Sequence, residues 1–303
     1  MTHRGLFVGL TTLDLMYGVA GLPQANKKQV ATDLAIAAGG PATNAAVAFR
    51  HLGNQAVLLS AVGQHPLVEL VRSDLGAQQV ELRDLASART EPPPLSSILV
   101  TQSTGDRSVV SRNAVDLQIS AEQFGETGLA SIHLETMDII LVDGHQMAVS
   151  VAIAQRARQC NIPVVLDGGS WKPGLEALLP WIDYAICSAN FLPPGCTAMS
   201  EVVPYLMQSL NGAGRSGSRS PCLAITHGGQ PIEYVQSGQS GKVSVPVIEP
   251  VDTLGAGDIF HGAFCHAILQ TSFVDALQQA AAIAALSCQS FGTREWLQLL
   301  GSV

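Results

Sequence analysis

Residues 252–264, DTLGAGDIFHGAF, place an aspartate among small residues in a pattern that suits phosphoryl chemistry. Gly255 and Gly257 have no Cβ atom, so an anion can come close to their backbone. The apolar run that follows predicts a helix, and the unpaired amides at a helix N-terminus attract negative charge. Asp258 would repel that charge unless it takes a proton from a hydroxyl that then attacks a bound phosphoryl group. The alternative is that Asp258 only caps its helix, which is a common role for aspartate.

A second candidate, GGPATNAAVAFRHLG at residues 39–53, has two glycines directly before a predicted helix. Gly39 and Gly40 would allow the chain to hinge between two parts of the molecule. Asn44 lies at the start of the helix, and its amide both donates and accepts hydrogen bonds, which suits sugar hydroxyls. Alternatively, the segment is a glycine turn followed by an ordinary helix start.

The elements that must position these residues alternate regularly along the chain. Six short apolar runs predict buried strands: LFVGL, AVLLSAVG, MDIILVD, IPVVLD, DYAICS and PCLAITHG. Helix-like segments lie between or after them, at 41–52, 148–160, 200–210, 258–270 and 273–288. Apolar strands that alternate with helices indicate an α/β protein with a parallel sheet covered on both faces.

Two regions depart from this alternation, residues 12–40 and residues 95–112. The first contains extended segments of mixed polarity, and the second is typical of a hairpin that turns at STGDR. We predict that both supply strands to a small separate sheet. Residues 212–217, GAGRSG, match the spacing GxGxxG, but a helix-like segment precedes them and a strand follows, so we predict a linker.

Composition argues against several classes of protein. The chain of 303 residues is 47% hydrophobic and 13% charged, which predicts a large buried core rather than disorder. Its formal net charge is -8 and it has no run of Lys and Arg, so we expect no nucleic-acid or membrane partner. No uncharged apolar run reaches the roughly 18 residues of a membrane helix. The cysteines are scattered, which is typical of reduced thiols in a cytoplasmic protein.

The two glycine segments, in this order and at this separation, resemble the signatures of the ribokinase-like (PfkB) carbohydrate kinases, and the resemblance covers nearly the whole chain. It implies one domain, 1–303, with a Rossmann-like three-layer α/β/α core and a β-sheet lid formed by about 12–40 and 95–112. It also implies transfer of the γ-phosphoryl group of ATP, with Mg²⁺, to a sugar-like alcohol. The segments DTLGAGDIFHGA and ALSCQSFGTREW are most similar to those of ketose-type kinases, including ketohexokinases and sulfofructose kinases.

We therefore expect an ATP-dependent kinase of a small, fructose-like sugar. One alternative is a nucleoside kinase of the same family, although Tyr17 is the only aromatic residue that the lid segments offer to a base. Another alternative is a catalytically weak member that senses or binds sugar. Because lid sheets in this family often pair between subunits, a homodimer is a further expectation.

The resemblance assigns roles to individual residues. Asp258 matches the catalytic base, and the amides of Gly255, Ala256 and Gly257 match the anion hole for the developing phosphoryl charge. Arg107 lies where some ketose kinases place an arginine near the transferring phosphate; otherwise it is a solvated hairpin tip. The positions that match substrate contacts are Asp14, Gly39, Gly40 and Asn44.

Other positions match the nucleotide and cation sites of the family. The segment AITHGG, at 224–229, resembles the strand and loop that contact nucleotide phosphates, and SFGT, at 290–293, would form a wall for the adenine. Asp252 and Thr253 occupy the position where many relatives bind a monovalent cation such as K⁺, and SFGT, which includes Gly292, would supply carbonyl oxygens to that cation. The residues implied for nucleotide contacts are Asn190, Thr226, Gly228, Gly229, Gly257 and Gly292.

Two departures from the family pattern bear on metal binding and activity. Many relatives carry an NxxE motif that positions Mg²⁺ through water, whereas SANFLPP keeps Asn190 and has Pro193 at the glutamate position. We expect the position of Mg²⁺ to depend on Asn190, which would hold it through water, on Asp167 and on the ATP phosphates, since Mg²⁺ keeps several waters and uses few protein carboxylates. The usual acid of GxDxxG is missing from GQHPLVE. His261, one turn beyond Asp258, either faces the site or packs on its helix.

Overall fold

The computed structural model of the protein describes residues 2–112, 114, 117–212 and 219–300. Within the predicted linker, residues 213–217 lie outside this description. The strands are β1 (Arg4–Val8), β2 (Thr12–Val19), β3 (Asp33–Gly39), β4 (Gln55–Ser60), β5 (Glu81–Asp84), β6 (Leu95–Thr101), β7 (Arg107–Arg112), β8 (Ile139–Val142), β9 (Val164–Gly168), β10 (Tyr184–Ser188), β11 (Cys222–His227), β12 (Gln230–Gln236) and β13 (Gln239–Val243). The α-helices are α1 (Pro41–His51), α2 (Val68–Ala77), α3 (Ala121–Ala130), α4 (Met147–Gln159), α5 (Leu175–Leu178), α6 (Met199–Leu210), α7 (Ala256–Ile268) and α8 (Phe273–Ser287).

Nine strands form the large sheet, in the order β13-β12-β11-β10-β9-β8-β1-β4-β5. The seven strands from β11 to β5 are parallel to one another. β12 and β13 extend the β11 edge as antiparallel strands, which the apolar pattern did not predict. The sheet is therefore mostly parallel, and the predicted α/β class is confirmed.

Helices cover both faces of the large sheet because successive side chains of a strand point to opposite faces. In β1, Phe7 packs with residues of α1, α2, α7 and α8 on one face. Its neighbours Leu6 and Val8 pack with residues of α3, α4, α5 and α6 on the other. Burial on both faces explains why the strands are apolar without interruption, and it gives the three-layer α/β/α architecture.

Four strands form a separate small sheet, in the order β3-β2-β6-β7. They come from the two regions that depart from the main alternation, and β6 and β7 form the predicted hairpin. The inward face of this sheet carries Met16 and Ile98, which pack near Leu254 and Phe291. Leu254 precedes α7 and Phe291 follows α8, so the small sheet covers the loops at one end of both helices.

Several elements besides β12 and β13 were not predicted. β5, with the sequence ELRD, is a charged strand at the sheet edge, where burial on both faces is not required. α3 is interrupted by Gly125, whose φ of 51° and ψ of −175° are not helical. α2 is a short helix of ten residues with three fully buried side chains. The buried residues Val68, Val71 and Leu75 of α2 nevertheless follow helical spacing, so the sequence carried a signal for this helix that the prediction did not use.

The six cysteines are free thiols, at residues 160, 187, 196, 222, 265 and 288. A membrane-spanning helix requires a long apolar run, and no helix among the described residues is both long and apolar enough.

Candidate active site

Helix α7 begins without a side-chain cap, after Gly255 with a φ of 72°, which lies in the left-handed region. A side chain at Gly255 would be strained there, and its Cβ would lie 3.1 Å from Thr293 Cγ2. At Gly257, by contrast, an added Cβ would meet no heavy atom within 4 Å. The two glycines therefore have different roles. Gly255 permits the turn into the helix, and Gly257 leaves open space beside the first-turn amides, where an anion can bind.

The crossing of α1 and α7 at Gly262 brings Asn44 to Asp258. A Cβ at Gly262 would lie 2.2 Å from the carbonyl oxygen of Ala45, so glycine allows the helices to approach this closely. Across the contact, Asn44 Nδ2 donates to Asp258 Oδ2 at 2.9 Å. Glycine inside a helix costs about 1 kcal/mol relative to alanine. Gly262 in the segment DTLGAGDIFHGAF was thus a sequence signal of close helix packing, and it went unused.

The carboxyl group of Asp258 lies in surroundings that favour its protonated form. Burial, followed by the negative charge of Asp167, raises the pKa of Asp258 from 3.8 to about 7. Donation from Asn44 and the positive charges of His261 and Arg107 oppose this rise. A carboxyl group that titrates near neutral pH can accept and release a proton, as general base catalysis requires. Since α7 has no side-chain cap, Asp258 does not perform the alternative capping role.

His261 is buried between α7 and the large sheet, with 6% of the residue exposed. Its Nδ1 lies 2.6 Å from the carbonyl oxygen of Gly257 and 3.3 Å from Asp167 Oδ2. Its Nε2 lies 3.2 Å from the carbonyl oxygen of Ile186. The histidine therefore packs on its helix, one of its two predicted alternatives, and joins the start of α7 to β9 and β10.

Asp14, Gly39 and Gly40 come together where β2 and β3 meet the start of α1. Asp14 is 6% exposed, its Oδ1 accepts from Thr12 Oγ1 at 2.6 Å, and burial raises its pKa. A Cβ at Gly39 would lie 1.8 Å from Asp14 Oδ2, so the neighbouring carboxylate requires glycine there. Gly40, with a φ of 99°, is the N-cap of α1. Because Asn44 lies on the same helix, the structure groups all four predicted substrate residues at the start of α1, and Asn44 connects this group to Asp258.

Arg107 reaches from the small sheet to the loop before α7. Its Nη1 donates to the carbonyl oxygen and to Oγ1 of Thr253, at 3.0 and 3.1 Å. The hairpin turn contacts the same loop, since Thr253 Oγ1 donates to the carbonyl oxygen of Gly105 at 3.3 Å. Arg107 is therefore not a free hairpin tip. It ties the small sheet to the main domain, and its charge lowers the pKa of Asp258.

Asp252, Thr253 and Gly292, which were predicted to lie near a monovalent cation, belong to two loops that Asp252 holds together. Asp252 is 2% exposed, and burial raises its pKa. Its Oδ1 accepts from the N–H of Leu254 at 2.8 Å, and its Oδ2 accepts from the N–H of Gly292 at 2.9 Å. Both oxygens of Thr253 accept from Arg107 in this arrangement. K⁺ binding stays a prediction.

The predicted nucleotide residues lie at the carboxyl ends of the adjacent strands β10 and β11. Ala189, which follows β10, donates its N–H to the carbonyl oxygen of Thr226 at 3.0 Å, so Asn190 lies beside Thr226. Gly228 and Gly229 connect β11 to β12, and an added Cβ at either would meet no heavy atom within 4 Å. Ligands of parallel α/β sheets bind at the carboxyl ends of the strands. This edge therefore has both the position and the space for a nucleotide. Gly292, by contrast, lies with Asp252 beneath the small sheet.

The side chains near the nucleotide residues suit a metal ion that is bound mainly by the phosphates of the nucleotide. Among the residues that the structure describes, no group of three or more His, Cys, Asp or Glu side chains is arranged to hold a metal ion. Asn190 is exposed and its side chain is neutral. Such a site fits Mg²⁺ that keeps its waters and takes its charged ligands from nucleotide phosphates.

Arg294 and Asp74 join this cluster although neither was predicted as a site residue. Arg294 Nη1 donates to Asn44 Oδ1 at 3.0 Å, and Nη2 donates to Asp74 Oδ2 at 3.0 Å. Arg294 lies in the tail segment ALSCQSFGTREW, where its charge beside SFGT was an available signal. Asp74 lies on α2, a helix that the sequence did not predict.

The fold combines a three-layer α/β/α core with a separate small sheet. The site places a carboxyl group with a pKa of about 7 beside the open N-terminus of a helix. Together these features define a class of protein, a phosphotransferase that acts on an alcohol group. The family model of the pfkB family carbohydrate kinases matches residues 3–298, so the chain belongs to this family. The predicted family and the predicted kind of enzyme, an ATP-dependent carbohydrate kinase, are confirmed.

Similar proteins agree with this family and its fold. A ribokinase from Bacillus subtilis (strain 168) is 27% identical over 294 residues, which cover 95% of this chain and 93% of that protein. An adenosine kinase from Schizosaccharomyces pombe is 23% identical over 261 residues, which cover 78% of this chain and 75% of that protein. The structure of Arabidopsis thaliana ribokinase complexed with ribose and ATP matches with a TM-score of 0.75 at 22% identity, and the match covers 99% of both chains. The predicted ribokinase-like fold is confirmed.

Proposed function

We propose that this protein transfers the γ-phosphoryl group of ATP to a hydroxyl of a small sugar, with a ketose as the first candidate. The observation that carries the proposal is the position of Asp258. Its carboxyl group, with a pKa of about 7, lies in the first turn of an uncapped helix, next to open space at Gly257. A proton acceptor and an anion site at one place are what phosphoryl transfer to an alcohol requires.

In the proposed mechanism, the sugar lies between the small sheet and the start of α7. Asp14 and Asn44 bind sugar hydroxyls that do not react, and this contact orients the reacting hydroxyl toward Asp258. Asp258 takes the proton of that hydroxyl as its oxygen forms a bond to the γ-phosphorus. The bond from phosphorus to the bridging oxygen breaks at the same time, and ADP leaves.

The developing charge on the phosphoryl oxygens is stabilised by groups at the start of α7. The amides of Gly255, Ala256 and Gly257 donate to these oxygens, and the guanidinium of Arg107 lies close enough to lower the pKa of Asp258. Mg²⁺, held through water at Asn190, would supply further positive charge to the phosphates. The small sheet would act as a lid that turns about Gly39–Gly40 and excludes water from the reaction.

Sequence resemblance and the relatives of this chain suggest which kind of molecule receives the phosphoryl group. A ketose is proposed because DTLGAGDIFHGA and ALSCQSFGTREW resemble segments of ketose-type kinases. Ribose is a second candidate, because the relatives of this chain include a ribokinase. A nucleoside would need an aromatic platform for its base. Tyr17 is the only aromatic residue in the four strands of the small sheet, and strand alternation puts it on the face opposite Asp14.

Release of ADP that depends on an added sugar tests this proposal. Purified protein would be assayed with ATP and Mg²⁺ against ketoses, aldoses, sugar phosphates and nucleosides, with and without K⁺. We expect a small sugar to stimulate ADP release, and we expect Asp258→Asn to abolish it while nucleotide binding, measured by calorimetry, stays largely intact. Substantial turnover by the variant would refute the mechanism. If no acceptor stimulated the wild type, a protein that only senses or binds sugar would be favoured instead.

We also propose that two copies of the chain pair through the outward face of the small sheet. Cross-strand neighbours on that face form two adjacent rows: Ile36, Leu15, Ser97 and Val110, then Leu34, Tyr17, Leu99 and Ser108. Three of the apolar members, Leu34, Ile36 and Val110, are 59%, 48% and 76% exposed. An exposed face that is mostly apolar is more typical of an interface than of free surface. Analytical ultracentrifugation should find a dimer that Ile36→Asp converts to a monomer, and a monomeric wild type would refute the pairing.

A further inference from the structure

Four parts of the chain meet at the guanidinium of Arg294. Its Nη2 and Nε lie 3.0 and 3.3 Å from Asp74 Oδ2 on α2, and its Nη1 lies 3.0 Å from Asn44 Oδ1 on α1. Nη2 also donates to the carbonyl oxygen of Ala38 in β3, whose own N–H donates to Asp74 Oδ2 at 3.0 Å. The side chains of Arg294 and Asp74 are only 16% and 15% exposed, so solvent screens this ion pair weakly.

The ion pair determines which way the amide of Asn44 faces. A guanidinium carries only donors, so the atom of Asn44 that faces Arg294 must be the acceptor Oδ1. The amide nitrogen then faces Asp258 and donates to its Oδ2 at 2.9 Å. With Oδ1 already engaged by Arg294, Asn44 donates to Asp258 and does not accept from it.

The direction of this hydrogen bond matters because the carboxyl group of Asp258 changes its protonation state during the proposed reaction. A donor that faces Asp258 stabilises the charged carboxylate, which is the form that can take a proton. A reversed amide would present Oδ1, accept from the protonated form and stabilise that form instead. An asparagine without a second partner can adopt either orientation, since its amide carries both a donor and an acceptor.

On the basis of the proposed function, we propose that Asp74 and Arg294 form a positioning pair that fixes Asn44 as a donor to the base and holds the β3 backbone at the hinge. Ala38, which both members of the pair bind, directly precedes Gly39. Arg294 acts on Asp258 through Asn44, so it is a positioning residue. The pair thereby connects the hinge of the small sheet to the protonation of the base.

A double-mutant cycle on Arg294 and Asn44 tests whether one acts through the other. Arg294→Met should lower kcat for sugar-stimulated ADP release about tenfold, and Asn44→Ala should lower it at least as much. If Arg294 acts through Asn44, the double variant should be no slower than Asn44→Ala alone. Losses that multiply in the double variant would overturn the proposal, because they would show that the two residues act independently.

The titration of Asp258 gives a second measurement, which does not require turnover. NMR of protein labelled at the aspartate carboxyl carbons would follow this titration, with Asp258→Asn identifying the signal. Its midpoint should move to higher pH by about one unit in Arg294→Met, because the reversed amide favours the protonated form. The charged groups that face Asp258 are Asp167 from β9, His261 from α7 and Arg107 from β7, and all three remain in the variant. An unchanged midpoint would also overturn the proposal.

Arg72→Met is the matched control for lost ion pairing. Arg72 lies on the same helix, α2, and pairs at 2.9 Å with Asp84, the last residue of β5. This control should lower Tm without moving the midpoint of Asp258. If Arg294→Met does not fold, Arg294→Lys replaces it. Lysine keeps the positive charge beside Asp74 but lacks the planar guanidinium, and the same kcat and NMR midpoint are measured. A wild type without sugar-stimulated turnover would refute the proposed function, and the NMR midpoint would still decide on the positioning pair.

Discussion

Replacing Asp258 by asparagine should stabilise the folded protein at neutral and alkaline pH while it removes activity. The pKa of Asp258 rises from 3.8 to about 7 on folding, so the folded protein binds this proton more tightly than the unfolded chain does. Below about pH 4 the side chain is protonated in both states and costs nothing. Between about pH 4 and about pH 7 the unfolded chain loses the proton first, so the wild type loses stability as the pH rises. Above about pH 7 Asp258 is ionised in both states, and the loss of stability that it causes no longer changes with pH.

The size of this effect follows from the same difference. A rise of about three pH units corresponds to at most about 4 kcal/mol, since each unit is worth about 1.4 kcal/mol. Asp258 is partly exposed, and solvent screens its charge, so we expect a gain of about 1–2 kcal/mol in the free energy of unfolding. In a chain of this length the gain amounts to a few degrees in Tm.

Urea and thermal unfolding of the wild type and Asp258→Asn, followed by circular dichroism from about pH 4 to about pH 9, measure this difference. The advantage of the variant should grow up to about pH 7 and then stay constant. Glu249→Gln is the control, because Glu249 is an exposed carboxylate in the loop that leads to α7. It should show no such pH dependence. If Asp258→Asn were less stable than the wild type at pH values above about 8, the electrostatic account of this site would be wrong.

Three glycine variants test the geometry of the site. Gly257→Ala should lower kcat about 100-fold with Tm unchanged or higher, because its Cβ would occupy space that the folded protein leaves open for an anion; an unchanged kcat would exclude the anion hole. Gly255→Ala should cost about 1–2 kcal/mol in urea unfolding because of its φ of 72°, so equal stability would contradict the strain. Gly39→Ala should raise the KM for sugar about tenfold but not the KM for ATP, because its Cβ would displace Asp14; equal effects on both would argue against a sugar contact.

The sequence was sufficient for six strands of the large sheet and for five of its helices, and burial on both faces explains why those strands are apolar without interruption. It was insufficient for β12 and β13, whose sequences QPIEYVQ and QSGKV mix polar and apolar residues at an exposed edge. The small sheet was predicted from its departure from the main pattern. Its strand order was not predicted. β2 pairs with β6, and the strands β3, β4 and β5 with the helices α1 and α2 lie between them in the sequence.

For the site, the sequence identified the residues whose backbone needs are unusual. Gly255 must be glycine because its φ is positive, and Gly39 must be glycine because the carboxylate of Asp14 lies beside it. Such requirements are visible in the sequence as glycines at unusual positions. The ion pair of Asp74 and Arg294 joins residues 220 positions apart, and a charged residue in a sequence does not indicate so distant a partner. The packing of α2 against β3 brings them together, and α2 was not predicted although Val68, Val71 and Leu75 follow helical spacing.

Arg107 belongs to the small sheet, whereas the carboxyl group whose pKa it lowers belongs to α7. If the small sheet turns away about Gly39 and Gly40, this positive charge leaves the cleft with it. Opening would remove the charge of Arg107, which lowers the pKa of Asp258, and it would also admit water to the carboxyl group, whose burial is the largest cause of its raised pKa. Movement of the small sheet would therefore change two opposing influences on the base at once, the charge of Arg107 and the exclusion of water from Asp258.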